Sequence, residues 1–235
     1  IDTAGLVIPS PPLWWPWQFS DSRPFFNATV TAQRDIVSGA SYTARFALRE
    51  IRKRLTKGGA LQFVVNRRPF AIMAGGYPPD MFQRVDVARM NTDFDMMIDI
   101  GLNAVRLEGM MLYDEFFNAA DERGFLVMPG FGCCDGWQHW AGWPQENYRV
   151  AAESARKQAR RLGIHPSVIT FLLSSDQLPP TNVEAMYNRV FAEEAWPNTL
   201  ISSASQQWSY VSGQSGVKMV GPYSWVPPTY WLDDG

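Results

Sequence analysis

Cysteine is nearly absent from this chain, and the two that occur, Cys133 and Cys134, are neighbours. Adjacent cysteines cannot build a disulfide framework, and a bond between them would be strained. Histidine is as scarce, with only His139 and His165. The run from Cys133 to His139 therefore matches no zinc-ligand spacing, and no metal site and no cofactor are expected. Charge is sparse too. A formal net charge of −2, with 19% charged residues and Lys and Arg scattered rather than clustered, leaves no footprint for nucleic acid or an anionic membrane. No stretch reaches the roughly 18 consecutive apolar residues that a membrane span needs. The opening Ile1-Asp2-Thr3 lacks the basic and apolar regions of a signal peptide, and the start reads as the middle of something larger.

Aromatic side chains and turn formers are what the chain has in plenty. It carries ten Trp, 18 Gly and 17 Pro, and 14% of its residues are aromatic. Sugar-binding clefts combine both, because apolar pyranose faces pack on aromatic rings presented by loops. A large aromatic core explains the same counts. Asn27-Ala28-Thr29 is an acceptor sequon that suits a secreted protein, the localisation expected here, although such a triplet also arises by chance.

Residues 1–65 read as β structure. Segments 25–31, 41–48 and 61–65 alternate or are β-branched, and Gly58-Gly59 marks a turn. So few strands make the tail of an immunoglobulin-like sandwich and its linker rather than a whole domain. From residue 66 onward, short apolar runs alternate with helical periods, which predicts βα units on a parallel sheet. Strands are expected at 70–74, 103–107, 125–129, 167–173, 200–203 and 217–220. Helices are expected over 87–98, 114–123 and 148–162, with a fourth opened by a capping box at Thr181-Asn182-Val183-Glu184. Polar residues gather directly after several strands, as they do on the carboxyl-end face of a barrel. The expected fold is α/β, an incomplete (β/α)8 TIM barrel with about six strands present. No nucleotide-binding glycine motif follows any strand.

Asp176, in Ser174-Ser175-Asp176-Gln177 at the end of an apolar strand, can act as a general acid, or simply as a turn residue before Pro179-Pro180. Glu108 closes Val105-Arg106-Leu107-Glu108-Gly109. It either pairs with Arg106 or Lys218 or receives a cationic group of a ligand. A Cys nucleophile paired with His139 lacks a basic setting to activate the thiol. His165, before Pro166, reads as structural. Trp14, Trp15 and Trp17 read as inter-domain packing.

Taken in order, the motifs resemble exo-β-D-glucosaminidases of glycoside hydrolase family 2. The resemblance is carried by Leu13-Trp14-Trp15-Pro16-Trp17-Gln18, Gly75-Gly76-Tyr77, Arg106-Leu107-Glu108-Gly109, Cys133-Cys134-Asp135, His165-Pro166-Ser167-Val168, Ser175-Asp176, and Gly221-Pro222-Tyr223 with Trp225-Val226-Pro227-Pro228. It implies a retaining hydrolase that removes terminal β-1,4-linked glucosamine from chitosan oligosaccharides. Asp176 would be the acid/base, and Glu108 would receive the 2-ammonium group. Ser175, Asp135, Trp137, Tyr223 and Trp225 would line the substrate site. The resemblance places the nucleophilic Glu beyond Gly235, so this chain alone is expected to be inactive, its partner being the remainder of its own polypeptide. Phe131 replaces a usual Trp, and Leu112, Gln138 and Ser224 replace usual acidic residues. These departures keep two alternatives open, a non-catalytic carbohydrate-binding homologue and a β-mannosidase-type hydrolase.

Overall fold

The computed structural model describes residues 7–34, 37–133, 136–205, 207–217 and 225–231. The chain opens with an antiparallel ribbon of β1 (Phe26–Arg34) and β2 (Val37–Phe46). A small antiparallel sheet follows, made of β3 (Ile51–Leu55), β4 (Leu61–Val65) and β5 (Arg68–Phe70). The expected turn at Gly58-Gly59 joins β3 to β4, with Gly59 at φ +78°.

The main layer is a parallel sheet of β6 (Ala74–Gly76), β7 (Ala104–Glu108), β8 (Leu126–Gly130), β9 (Thr170–Leu172) and β10 (Thr199–Ile201), in that spatial order. The sequence places the first of these strands at 70–74, which the structure corrects. Phe70 instead pairs antiparallel with Phe63, and the parallel strand begins at Ala74. Ala-Gly-Gly offers no β-branched signal, so tertiary pairing alone makes it a strand. The expected strand at 217–220 lies almost wholly outside the described residues.

Among the described residues, four α-helices alternate with the strands. In α1 (Val87–Asp99), Met90 and Phe94 are buried one turn apart, and the Asp86 side chain caps the first turn by accepting from Arg89 N. In α2 (Asp114–Arg123), Asp114 and Glu115 sit at the positive end of the helix dipole and Arg123 at the negative end. Gly124, at φ +68°, ends it in the left-handed conformation that a side chain would strain. In α3 (Gln145–Leu162), Ala151, Ala155 and Ala159 face inward and let the helix lie close to the sheet. The last helix, α4 (Thr181–Glu193), buries Val183, Tyr187, Val190 and Phe191. Its predicted capping box is absent. Pro180 is the N-cap, no side chain caps the helix, and Glu184 points into the protein, 1% exposed.

All four helices pack on one face of the sheet. Val105, Leu107, Val127, Phe171 and Leu173 meet Phe94, Phe116, Phe117, Val183 and Phe191 there in one apolar cluster. Each such fully buried side chain contributes about 1.5–3 kcal/mol. The opposite face is covered by the small antiparallel sheet. Ile51, Phe63, Val65 and Phe70 close over Ala104, Leu126, Ile169, Leu172 and Ile201, together with Trp14. Arg49 fastens this cover by donating to the carbonyls of Pro166 and Val168, and Lys53 donates to that of Leu200. Trp14 is fully buried and gives its indole N–H to the Asp121 carbonyl. Trp14 thus packs between Ile51 and Phe63 of the small sheet and Leu126 of the parallel one.

Candidate active site

The carboxyl ends of β7, β8 and β9 bring three chemistry-bearing groups together. Carboxylate oxygens of Glu108 and Asp176 and the thiol of Cys133 all lie within 4.8 Å of one another. Parallel pairing explains the convergence, because Glu108 stands opposite Gly130, and Gly130 opposite Leu172. Glu108 ends β7, and the loops leaving the paired tips of β8 and β9 carry Cys133 and Asp176 to it. The backbone N–H of Ala204, beyond β10, donates to the Ser175 carbonyl at 3.1 Å and fixes the loop that carries Asp176.

Neighbouring groups hold these positions. The buried Ser175 donates its hydroxyl to Glu108 Oε1. Gln138, also buried, donates its amide to Ser174 Oγ at 2.6 Å. Arg106 reaches across the sheet, with Nη2 4.0 Å from Glu108 Oε1. Its two terminal nitrogens are buried and make no hydrogen bond among the described residues. Burial lowers the Arg106 pKa from its ordinary value, and the nearby Glu108, Cys133 and Asp176 oppose that shift. Glu108 therefore has the Arg106 neighbour anticipated from the sequence and also a side-chain exposure of 44%, which leaves it open to a ligand. Glu108, Cys133 and Asp176 are also the described group with the donor set to hold a metal ion. It differs from the Cys133 to His139 run considered in the sequence, and the Arg106 guanidinium opposes a cation there.

No family model matches the chain. Individual proteins do. An exo-β-D-glucosaminidase of Streptomyces avermitilis is 38% identical over 98% of this chain and 26% of its own length. One from Amycolatopsis orientalis is 35% identical over 95% of the chain and 22% of its own length. The crystal structure of Amycolatopsis orientalis exo-chitosanase CsxA superposes with a TM-score of 0.90, at 34% identity, over 95% of this chain and 27% of that one. The chain is homologous to exo-β-D-glucosaminidases of glycoside hydrolase family 2. It spans about a quarter of the length of the curated relatives it matches. A β-mannosidase A of Aspergillus terreus matches less of it, 30% identical over 70%. A family 2 β-galacturonidase from Eisenbergiella tayi, 18% identical with a TM-score of 0.71, shares the fold.

Among the residues that the exo-β-D-glucosaminidase resemblance singled out, the structure brings Asp176, Glu108 and Ser175 together. Trp137 is 39% exposed and meets Trp143 edge-on at 5.5 Å. Trp140 and Trp143 beside it are buried, so much of this Trp-rich loop is core. Trp225 is 83% exposed. Asp135, Tyr223, Ser224 and Lys218 lie outside the described residues. Leu112 is buried among apolar neighbours, and Phe131 meets Phe171 edge-on and Tyr187 at a tilt. His165 is structural as read, its Nδ1 2.7 Å from Asp121 Oδ2 in a buried pair.

Sequence reasoning passed over Asp121 and Arg106 as a buried cation, and it read Glu184 as a capping-box residue rather than as a buried carboxylate. Asp121 carried a signal: it lies four residues after Phe117, on the inward side of α2. A charged residue on an apolar helix face requires a partner.

Proposed function

We propose that this chain forms part of a retaining exo-β-D-glucosaminidase that releases terminal glucosamine from chitosan oligosaccharides, with β6 to β10 as the first strands of an eight-stranded barrel. The observation that carries the reading is the convergence of the Glu108 and Asp176 carboxylates within 4.8 Å at the strand tips. Residues 1–65 then hold the end of a preceding β-sandwich and its linker, and 66–235 the opening part of the catalytic domain. Secretion suits a polymeric substrate.

Asp176 protonates the glycosidic oxygen as it leaves and later takes a proton from the attacking water. Glu108, held in place by Ser175, receives the 2-ammonium group. A protonated amine beside the reacting centre opposes the positive charge that builds in the transition state, and a carboxylate at that point offsets the repulsion. Retention requires a second reacting carboxylate about 5–5.5 Å from the acid. On this reading it comes from polypeptide beyond this chain. The crystal complexes of CsxA variants with PNP-β-D-glucosamine support an aminosugar ligand, and the weaker match to β-mannosidase A favours that reading over a mannoside.

In the full-length protein, Asp176→Asn is expected to abolish glucosamine release from a chitosan oligomer. Normal turnover by that variant would remove Asp176 from the chemistry. Glu108→Gln is expected to erase the preference for glucosaminide over mannoside, read as a ratio of kcat/KM on the two aryl glycosides.

A further inference from the structure

Beyond β10 the chain forms a hairpin from β11 (Trp208–Ser209) and β12 (Gly213–Gln214). Alternation in Trp208-Ser209-Tyr210 sends the serine one way and the two rings the other. Ser209 is 1% exposed and donates its hydroxyl to Glu184 Oε2 at 2.6 Å, while Ser212 donates to Glu184 Oε1 at 2.6 Å. Ser209 Oγ also accepts the backbone N–H groups of Val211 and Ser212. A carboxylate buried in this way costs desolvation energy. What it secures is one rigid turn, and the side chains that this turn presents outward are aromatic. Trp208 is 58% exposed and Tyr210 86%, their rings edge-to-face at 5.0 Å.

Two large rings held in solvent on a braced turn run against the tendency of such residues to be buried. They suit a ligand with flat C–H faces and ammonium groups, because aromatic faces attract both. The hairpin also follows closely on a residue anchored at the candidate active site. Ala204 is hydrogen-bonded to Ser175, and Trp208 follows four residues later, no more than about 14 Å along an extended chain. An acid that protonates the leaving oxygen faces the part of the substrate that leaves. We infer that Trp208 and Tyr210 form a subsite for the glucosamine units on the leaving-group side, so that the hairpin favours oligomers over small glycosides. The inference rests on Asp176 being the acid.

The test compares a glucosamine tetramer with an aryl glucosaminide as substrates of the full-length protein, and measures tetramer binding by calorimetry in the Asp176→Asn background. In Trp208→Ala, the ratio of tetramer to aryl kcat/KM should fall about tenfold, with a matching loss of tetramer affinity that Trp208→Phe largely restores. An unchanged ratio with unchanged affinity would overturn the subsite. So would a parallel fall on both substrates with a lowered Tm, which would make the rings a packing surface. If the wild-type protein cleaves neither substrate, the hydrolase reading fails, and the binding arm still decides whether the hairpin holds the oligomer.

Discussion

At the scale of single residues, the site depends on space left by glycine as much as on charge. A Cβ on Gly130 would lie 2.6 Å from the Leu172 carbonyl oxygen and 2.9 Å from Arg106 Nη1. The guanidinium lies where it does because that Cβ is missing. Gly130→Ala should cost about 1–3 kcal/mol in urea unfolding, since neither backbone nor buried arginine can give way cheaply. Asp121 is the other residue on which much depends. One oxygen accepts the Ser167 N–H at 3.0 Å and the other meets His165. Asp121→Ala strands buried polar groups and should cost about 3–5 kcal/mol, measured the same way. A loss below about 1 kcal/mol would show that solvent reaches the pair.

At the scale of elements, the helices separate what a local pattern can tell from what it cannot. The extent of α2 and its end at Gly124 are legible because its charged ends, apolar period and terminal glycine all lie within one short stretch. The start of α4 is not. Thr181-Asn182-Val183-Glu184 has the spacing of a capping box, yet Pro180 takes the N-cap position and shifts the register by one residue. The first helical bond confirms the shift, running from Glu184 N to the Pro180 carbonyl at 2.9 Å. Glu184 then turns inward to Ser209 and Ser212. The two helix starts should therefore respond differently to alanine. Asp86→Ala should cost about 0.5–2 kcal/mol, as loss of a cap does. Thr181→Ala should stay within about 0.5 kcal/mol, as an exposed residue without a cap role does. Equal losses in thermal unfolding would refute this account.

At the scale of the whole molecule, one sheet is covered by helices on one face and by a small antiparallel sheet on the other, and its strand tips carry the site. No described helix is long and apolar enough to cross a membrane. The loop after β6 is tied down by charge: Asp80 grips Arg84 and Arg89. The hydrogen bond from Arg84 is the main cause holding the Asp80 carboxyl well below the usual carboxylate range. Its contribution is therefore complete above the ordinary Asp pKa and is lost as pH falls through the depressed folded value. Hydrogen-exchange protection of residues 80–86, taken relative to the intrinsic rate at each pH, should hold at pH 5 and decline as pH falls below the ordinary Asp range, and Asp80→Asn should lower it at pH 5 with a smaller effect at low pH. The sequence by itself determined the α/β class, the four helices, the homology, and the candidates Glu108, Ser175 and Asp176. Local periodicity and residue chemistry lie within short stretches and can be read without coordinates. Only the tertiary structure decided that Ala74–Gly76 is a strand, that the guanidinium nitrogens of Arg106 are buried, and that Glu184 braces the Trp208 hairpin. Each of these depends on which distant segment packs alongside, and strand pairing and the burial of charge are settled by that neighbour rather than by the residues on either side.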